Sequence, residues 1–128
     1  MVMPLEGIKV VDMGRAQQGP FAAALLADMG ADVIKVEPLA GDFTRGVFLT
    51  SWYPEGTVDA YCLAMNRGKR SLSIDYHTAK GREVVLKLAE RADVFMHNFR
   101  AGVVDSIGLG YNEVNRLNPR IIYAHITG

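Results

Sequence analysis

The feature that most constrains this chain is an alternation. Short runs rich in β-branched residues recur along it, and helical signals separate most of them. Ile8-Lys9-Val10-Val11-Asp12 opens the series after Gly7 and reads as a first strand. Gly14 to Gly19 is a polar loop, and Pro20 suits the first turn of a helix because no N–H donor is needed there. Phe21 to Met29 is rich in alanine and leucine, with Gly30 placed as a C′ stop. This helix is apolar nearly all round, so it is expected to be buried on all sides.

Asp32 to Glu37 reads as a second strand, ended by Pro38. Residues 38 to 66 contain glycines, Trp52, Tyr53 and Pro54 without clear periodicity, and Tyr61 to Met65 carries at most a helical turn. A loop of that length inside a compact domain is usually functional or a lid. Ser71 to Asp75 is a third strand. Thr78 is the expected N-cap of a helix running to Arg91, with Val84, Val85, Leu88 and Ala89 at helical spacing. Ala92 to His97 is a fourth strand, Gly102 to Leu109 and Tyr111 to Leu117 are short helices, and Arg120 to Ile126 is a fifth strand after Pro119. Such an order predicts an α/β fold of right-handed βαβ units: a Rossmann-like, mostly parallel sheet with helices on both faces. The 128 residues are enough for one domain with one core.

Composition removes several function classes. Lysine plus arginine balances aspartate plus glutamate, 14 against 14, so there is no global field to attract nucleic acid. No apolar run reaches the ~20 residues of a membrane span, and Met1 to Gly7 has no features of a signal peptide. The single cysteine, Cys62, cannot form an internal disulfide. It reads as a small buried apolar residue, and a cytoplasmic location is the expectation.

In open α/β sheets ligands lie beyond the carboxyl ends of the strands. Asp12, Arg15, Gln17 and Gln18 follow the first strand, Glu37 the second, Asp75, Tyr76 and His77 the third, and His97, Asn98, Phe99 and Arg100 the fourth. Loops at strand ends are polar in any protein, so this clustering fits plain solvation as well as a site. As a dinucleotide loop, Gly14 to Gly19 lacks the G-x-G-x-x-G pattern. There is no P-loop, and no G-x-S-x-G elbow. His77, His97 and His125 lack metal-ligand spacing, so no metal is expected. Arg67, Lys69 and Arg70 form a basic cluster before the third strand, readable as a solvated face or as a phosphate contact.

Six blocks in order resemble one family. They are Pro4 to Asp12; Gly19-Pro20 with Leu26 to Glu37; Gly41-Asp42-Phe43-Thr44-Arg45; Asn66-Arg67-Gly68-Lys69-Arg70-Ser71; Asn98-Phe99-Arg100-Ala101-Gly102-Val103; and Leu117 to Ala124. Together they look like the N-terminal segment of a family III (CaiB/BaiF) CoA-transferase. The chain is thereby similar to formyl-CoA transferases, carnitine CoA-transferases and α-methylacyl-CoA racemases.

The resemblance implies that residues 1–128 are the N-terminal part of the CoA-binding Rossmann-like domain of an interlocked homodimer, with no second domain. Coenzyme A or acyl-CoA would be the bound substrate, and a carboxylic acid the second one. Carried over residue by residue, the CoA contacts would be Ala16, Gln17 and Gln18, then Ile74, Asp75 and His77, and Asn98, Phe99 and Arg100. Lys69 and Arg70 would support phosphate binding, and Gln17 would be an auxiliary polar group near the reacting carboxylate. His77 stands where formyl-CoA transferases have a CoA-contacting lysine, Ser106 where an arginine is usual, and Ala101 where the family has proline. The nucleophilic aspartate of the family would lie beyond Gly128, so this segment alone is expected to be inactive. An acyl-CoA racemase segment, or a CoA- or nucleotide-binding module without catalysis, is the alternative.

Overall fold

The computed structural model describes residues 2–46, 54 and 57–127. Its strands are β1 (Lys9–Asp12), β2 (Asp32–Glu37), β3 (Arg70–Ser73), β4 (Val94–His97) and β5 (Ile122–His125). The helices are α1 (Gln18–Asp28), α2 (Ala60–Asn66), α3 (Ala79–Glu90), α4 (Val103–Ser106) and α5 (Tyr111–Leu117). The strands form one sheet in the order β3-β2-β1-β4-β5, and every pairing is parallel. That order reverses direction between β1 and β4, which is the topological switch point of a Rossmann-like sheet.

Local chemistry sets most element ends. Gly30 takes φ +100°, a left-handed conformation that costs glycine little, and α1 stops there. Thr78 Oγ1 accepts the Gly81 N–H at 3.1 Å and caps α3, as the sequence led us to expect. β3 ends at Ser73, before Asp75, whose carboxylate instead accepts the His77 N–H and turns the chain. β4 starts at Val94, two residues later than expected, and just before it the Asp93 side chain accepts the Lys9 N–H at 2.9 Å. The helix expected over residues 102–109 is confined to α4, and Gly108 lies just beyond it at φ +72°. The described residues of the stretch 38–66 hold more regular structure than their composition implied. They include a 3-10 turn at Phe43–Arg45 and a full α2, whose N-cap Asp59 accepts the Tyr61 N–H. Trp52 and Tyr53 lie outside the described residues.

Alternate strand residues feed two cores, one on each face. Val11, Val36 and Phe95 pack with Val85 and Ala89 of α3, Val104, Leu109 and Val114. Val10, Val33 and Met96 pack with Ala23 of α1. Burying each such side chain contributes on the order of 1.5–3 kcal/mol. Helices therefore cover both faces.

The all-round burial expected of α1 does not occur. Its inner side is small (Gly19, Pro20, Ala23, Ala24) and lies close against the sheet. Phe21, Leu25 and Met29, spaced by four, are 45%, 43% and 39% exposed. Only one helix layer lies on that face of the sheet, so the outer stripe of α1 has no cover among the described residues.

Candidate functional site

Two glycines shape the loop after β1. A Cβ on Gly14 would come within 2.8 Å of Asp12 Oδ1 and 2.9 Å of Pro20 Cδ, and one on Gly19 within 3.2 Å of the Gly14 Cα. The pair thus lets the loop fold tightly onto the start of α1. Ala16 is the only described non-glycine residue with positive φ, at 61°. Such a conformation costs on the order of 1 kcal/mol and persists only where the surroundings hold it. Asn98, just past β4, does the holding. Its Oδ1 accepts the Arg15 N–H and its Nδ2 donates to the Arg15 carbonyl, both at 2.7 Å. This two-point clamp of side chain on backbone spans the switch point. Gln17 and Gln18 follow, exposed, at the first turn of α1, and Gln17 does not cap the helix with its side chain.

The loops after β3 and β4 meet through rings. Phe99 lies edge-on to Tyr76 with centroids 6.5 Å apart, and His77 packs on Tyr76 at 5.0 Å. Burial pushes the Tyr76 phenol up, and the Arg15 charge opposes that shift. Ala16, Gln17, Gln18, Ile74, Asp75, His77, Asn98, Phe99 and Arg100 therefore all sit along the carboxyl edge, on the loops after β1, β3 and β4.

Lys69 and Arg70 do not join them. The Lys69 side chain is buried, 1% exposed, and its ammonium donates to Asp12 Oδ2 (2.8 Å), the Pro20 carbonyl (2.8 Å) and Asn66 Oδ1 (3.1 Å). All three donors are engaged, leaving none for a phosphate. Arg70 opens β3 at the opposite, amino edge and pairs with Asp32. Arg67 pairs with Asp28 at the end of α1. The three neighbouring cations thus serve three separate carboxylates, although all three line one cavity with Lys35, Arg45 and Asn66.

Beneath the edge, on the α1 side, lies a buried polar network that the sequence reading did not anticipate. Lys35 Nζ donates to the Gly14 carbonyl and to Asp42 Oδ2, the latter at 2.9 Å. Asp42 also caps the 3-10 turn through Thr44. Glu37 accepts from Arg45, Ser71 and the Asp42 N–H. Burial alone would raise the Glu37 carboxyl, but these donors outweigh it and hold it at about 2. The Gly41-to-Arg45 block is thus a latch on the end of β2. Its signal in the sequence is Lys35 and Glu37, two apart among the valines and isoleucine of β2, which puts both on one face.

The far end of the edge is built differently. Cross-strand partners Phe95 and Tyr123 stack at 5.2 Å, and His97 and His125, two residues further along each strand, at 4.3 Å. His97 Nδ1 accepts the Phe99 N–H, and His125 Nε2 bonds the Phe99 carbonyl at 2.8 Å. Burial, with His125 adding to it, holds the His97 imidazole at about 4, so the ring is neutral near pH 7. Among the described residues no group of three His, Cys, Asp or Glu is placed to hold a metal ion, and no helix is long and apolar enough to cross a membrane.

A family model described as CoA-transferase family III matches residues 5–128. A succinate–glutarate CoA-transferase of Agrobacterium fabrum is 46% identical over 129 residues, covering 98% of this chain and 32% of that protein. The human succinyl-CoA:glutarate CoA-transferase is 43% identical over 130 residues, covering 99% of this chain and 28% of that protein. The crystal structure of a CaiB/BaiF family protein from Brucella suis superposes with a TM-score of 0.89 at 45% identity, over 100% of this chain and 34% of its own. The chain spans about 28–34% of these relatives. With the fold, the switch-point loop and the ordered sequence blocks in agreement, the chain belongs to CoA-transferase family III.

Proposed function

We propose that residues 1–128 form the N-terminal, CoA-binding part of a Rossmann-like domain in an enzyme that moves coenzyme A between an acyl-CoA thioester and a carboxylic acid. The observation that carries this reading is the convergence of the loops after β1, β3 and β4 at the switch point, tied by the Asn98 clamp. Ala16 to Gln18, Ile74 to His77 and Asn98 to Arg100 would line the CoA path, with Gln17 nearest the reacting carboxylate. Lys69 would act from beneath, by holding Asp12 and α1 in place, rather than on phosphate.

The reaction needs a carboxylate that attacks the thioester carbonyl and releases the CoA thiolate, giving a mixed anhydride. The thiolate then attacks the enzyme's acyl carbon and expels the first acid, leaving an enzyme–CoA thioester. Four acids of the edge are not presented for that attack. Asp12, Glu37 and Asp42 are buried and ion-paired, and Asp75 is turned to the His77 N–H. As the family resemblance implies, the nucleophile would then come from sequence beyond this segment. The exposed apolar stripe of α1 fits a homo-oligomer, in which a second protomer or later sequence covers it.

The test is CoA exchange by the complete gene product, with succinyl-CoA or formyl-CoA as donors and a panel of mono- and dicarboxylic acids as acceptors. Transfer to at least one acid, by a species that light scattering identifies as a homodimer, is the expected result. Epimerisation of a 2-methylacyl-CoA without transfer would place the chain with the racemases. Neither activity would leave a CoA-binding module.

A further inference from the structure

Three buried acids at the carboxyl edge each have their own cation. Asp12 is paired with Lys69, Asp42 with Lys35 and Glu37 with Arg45. Arg15 stands at the same edge and is in no ion pair among the described residues. Its guanidinium carbon lies 5.5 Å from the centroid of the Phe43 ring. Its Nε is the one buried side-chain nitrogen or oxygen among the described residues that lacks a hydrogen-bond partner. Buried donors in native proteins are nearly always satisfied, and an exception at a conformationally strained loop calls for a reason. Here the root of the side chain is fixed as well, because Asn98 bonds both the N–H and the carbonyl of Arg15.

A cation–π contact with a half-exposed ring accounts for only part of this arrangement. Packing on Phe43 needs no charge, and a guanidinium with no other task would be better hydrated in open solvent. An anchored backbone and an unneutralised planar head set over a ring together describe a group held ready for an oxyanion, which a guanidinium binds through paired N–H donors.

We propose that Arg15 is the oxyanion-recognition residue of the switch-point crevice, binding through its guanidinium either the carboxylate of the acid substrate or a phosphate of coenzyme A. The assignment of those two ligands rests on the transferase reading above. Asn98 acts on the same event as a positioning residue, since both ends of its amide are spent on the Arg15 backbone.

The experiment is steady-state kinetics of the complete gene product with Arg15→Gln and Arg15→Lys, varying the acid and the acyl-CoA separately. Loss of a charge-assisted contact raises one KM by about tenfold or more, with Arg15→Lys recovering part of it. A rise confined to the acid assigns the carboxylate, and a rise confined to acyl-CoA assigns the phosphate. If both KM values stay within about twofold of the active wild type, the contact is not made and the proposal is overturned. Calorimetric titration with succinate and with pyrophosphate runs in parallel. If the wild type transfers nothing, it is the transferase reading that fails, and the titrations still decide Arg15. Binding weakened about tenfold by Arg15→Gln upholds it, and unchanged binding overturns it. Should Arg15→Gln fail to fold, Phe43→Leu keeps the charge and the clamp but removes the stack. It is then expected to weaken the same ligand by a few-fold, about 2–5, and no change overturns the proposal.

Discussion

The two halves of the carboxyl edge solve one problem in opposite ways. Strand ends leave polar groups that must be either satisfied or kept neutral. Around β1, β2 and β3 the chain buries full charges and matches them: Lys69 with Asp12, Lys35 with Asp42, Arg45 with Glu37. Around β4 and β5 it buries rings without charge: Phe95 stacked on Tyr123, and His97, held neutral, against the exposed ring of His125. Burial pushes the Tyr123 phenol up while it holds His97 down, and both shifts favour the neutral form. The charged half is therefore vulnerable to loss of a partner, and the aromatic half to gain of a proton.

The largest test of that contrast is Lys69→Ala. It leaves Asp12 buried beside no cation, and removal of one partner of such a pair costs about 3–5 kcal/mol. A urea or thermal melt should show a stability loss of that order, and Lys69→Met combined with Asp12→Asn should recover much of it. A loss below about 1 kcal/mol would mean that water reaches the pair and the network is not a closed unit.

Acid should separate the halves next. His97 titrates near 4 in the folded chain against 6.5 when free, so the unfolded state binds the extra proton first. Stability is then full above pH 6.5 and falls as the pH drops toward 4, by on the order of 3 kcal/mol. His125 adds to this effect, and the Asp105 carboxylate opposes it. Glu37 has the other window: its stabilisation is intact above 4.5 and is lost only as the pH falls toward about 2. Between pH 6.5 and 4.5 the aromatic half alone should respond. His97→Phe should flatten the melting temperature across that interval, whereas a slope that survives the substitution would trace the acid response to another group.

The smallest effect should come from Arg70, next in sequence to Lys69. Its pair with Asp32 is 64% and 47% exposed at the amino edge. Arg70→Ala is expected to change stability by no more than about 0.5 kcal/mol. Two neighbouring cations differing about tenfold in cost would show that burial, not charge, gives the network its weight.

Much of the fold is legible in the residues themselves. The β-branched runs fall within a few residues of the strands, and Thr78, Gly30 and Pro38 mark ends because capping, positive φ and a missing N–H are local effects. The ordered blocks from Pro4 to Ala124 point to the family for a related reason: each is a short segment whose backbone needs particular residues. Asp75 falls outside β3, against expectation, because its side chain competes locally with the strand.

The polar network and the placement of the cations are a different matter. Nothing local distinguishes Lys69 from Arg70, since two adjacent basic residues read as one cluster. Which of them is buried depends on where α1 and Asp12 lie, 49 and 57 residues away along the chain. The same holds for Arg15, which acquires meaning only when Asn98 arrives from 83 residues on and Phe43 comes beneath its guanidinium. Strands, helix caps and the alternation that makes a parallel sheet are written into the chain locally, because backbone preference acts over a few residues. Which charges are matched, and that Arg15 is left open, is settled in three dimensions. Electrostatic pairing depends on distance through space, and the sheet order that sets those distances is a property of the whole fold.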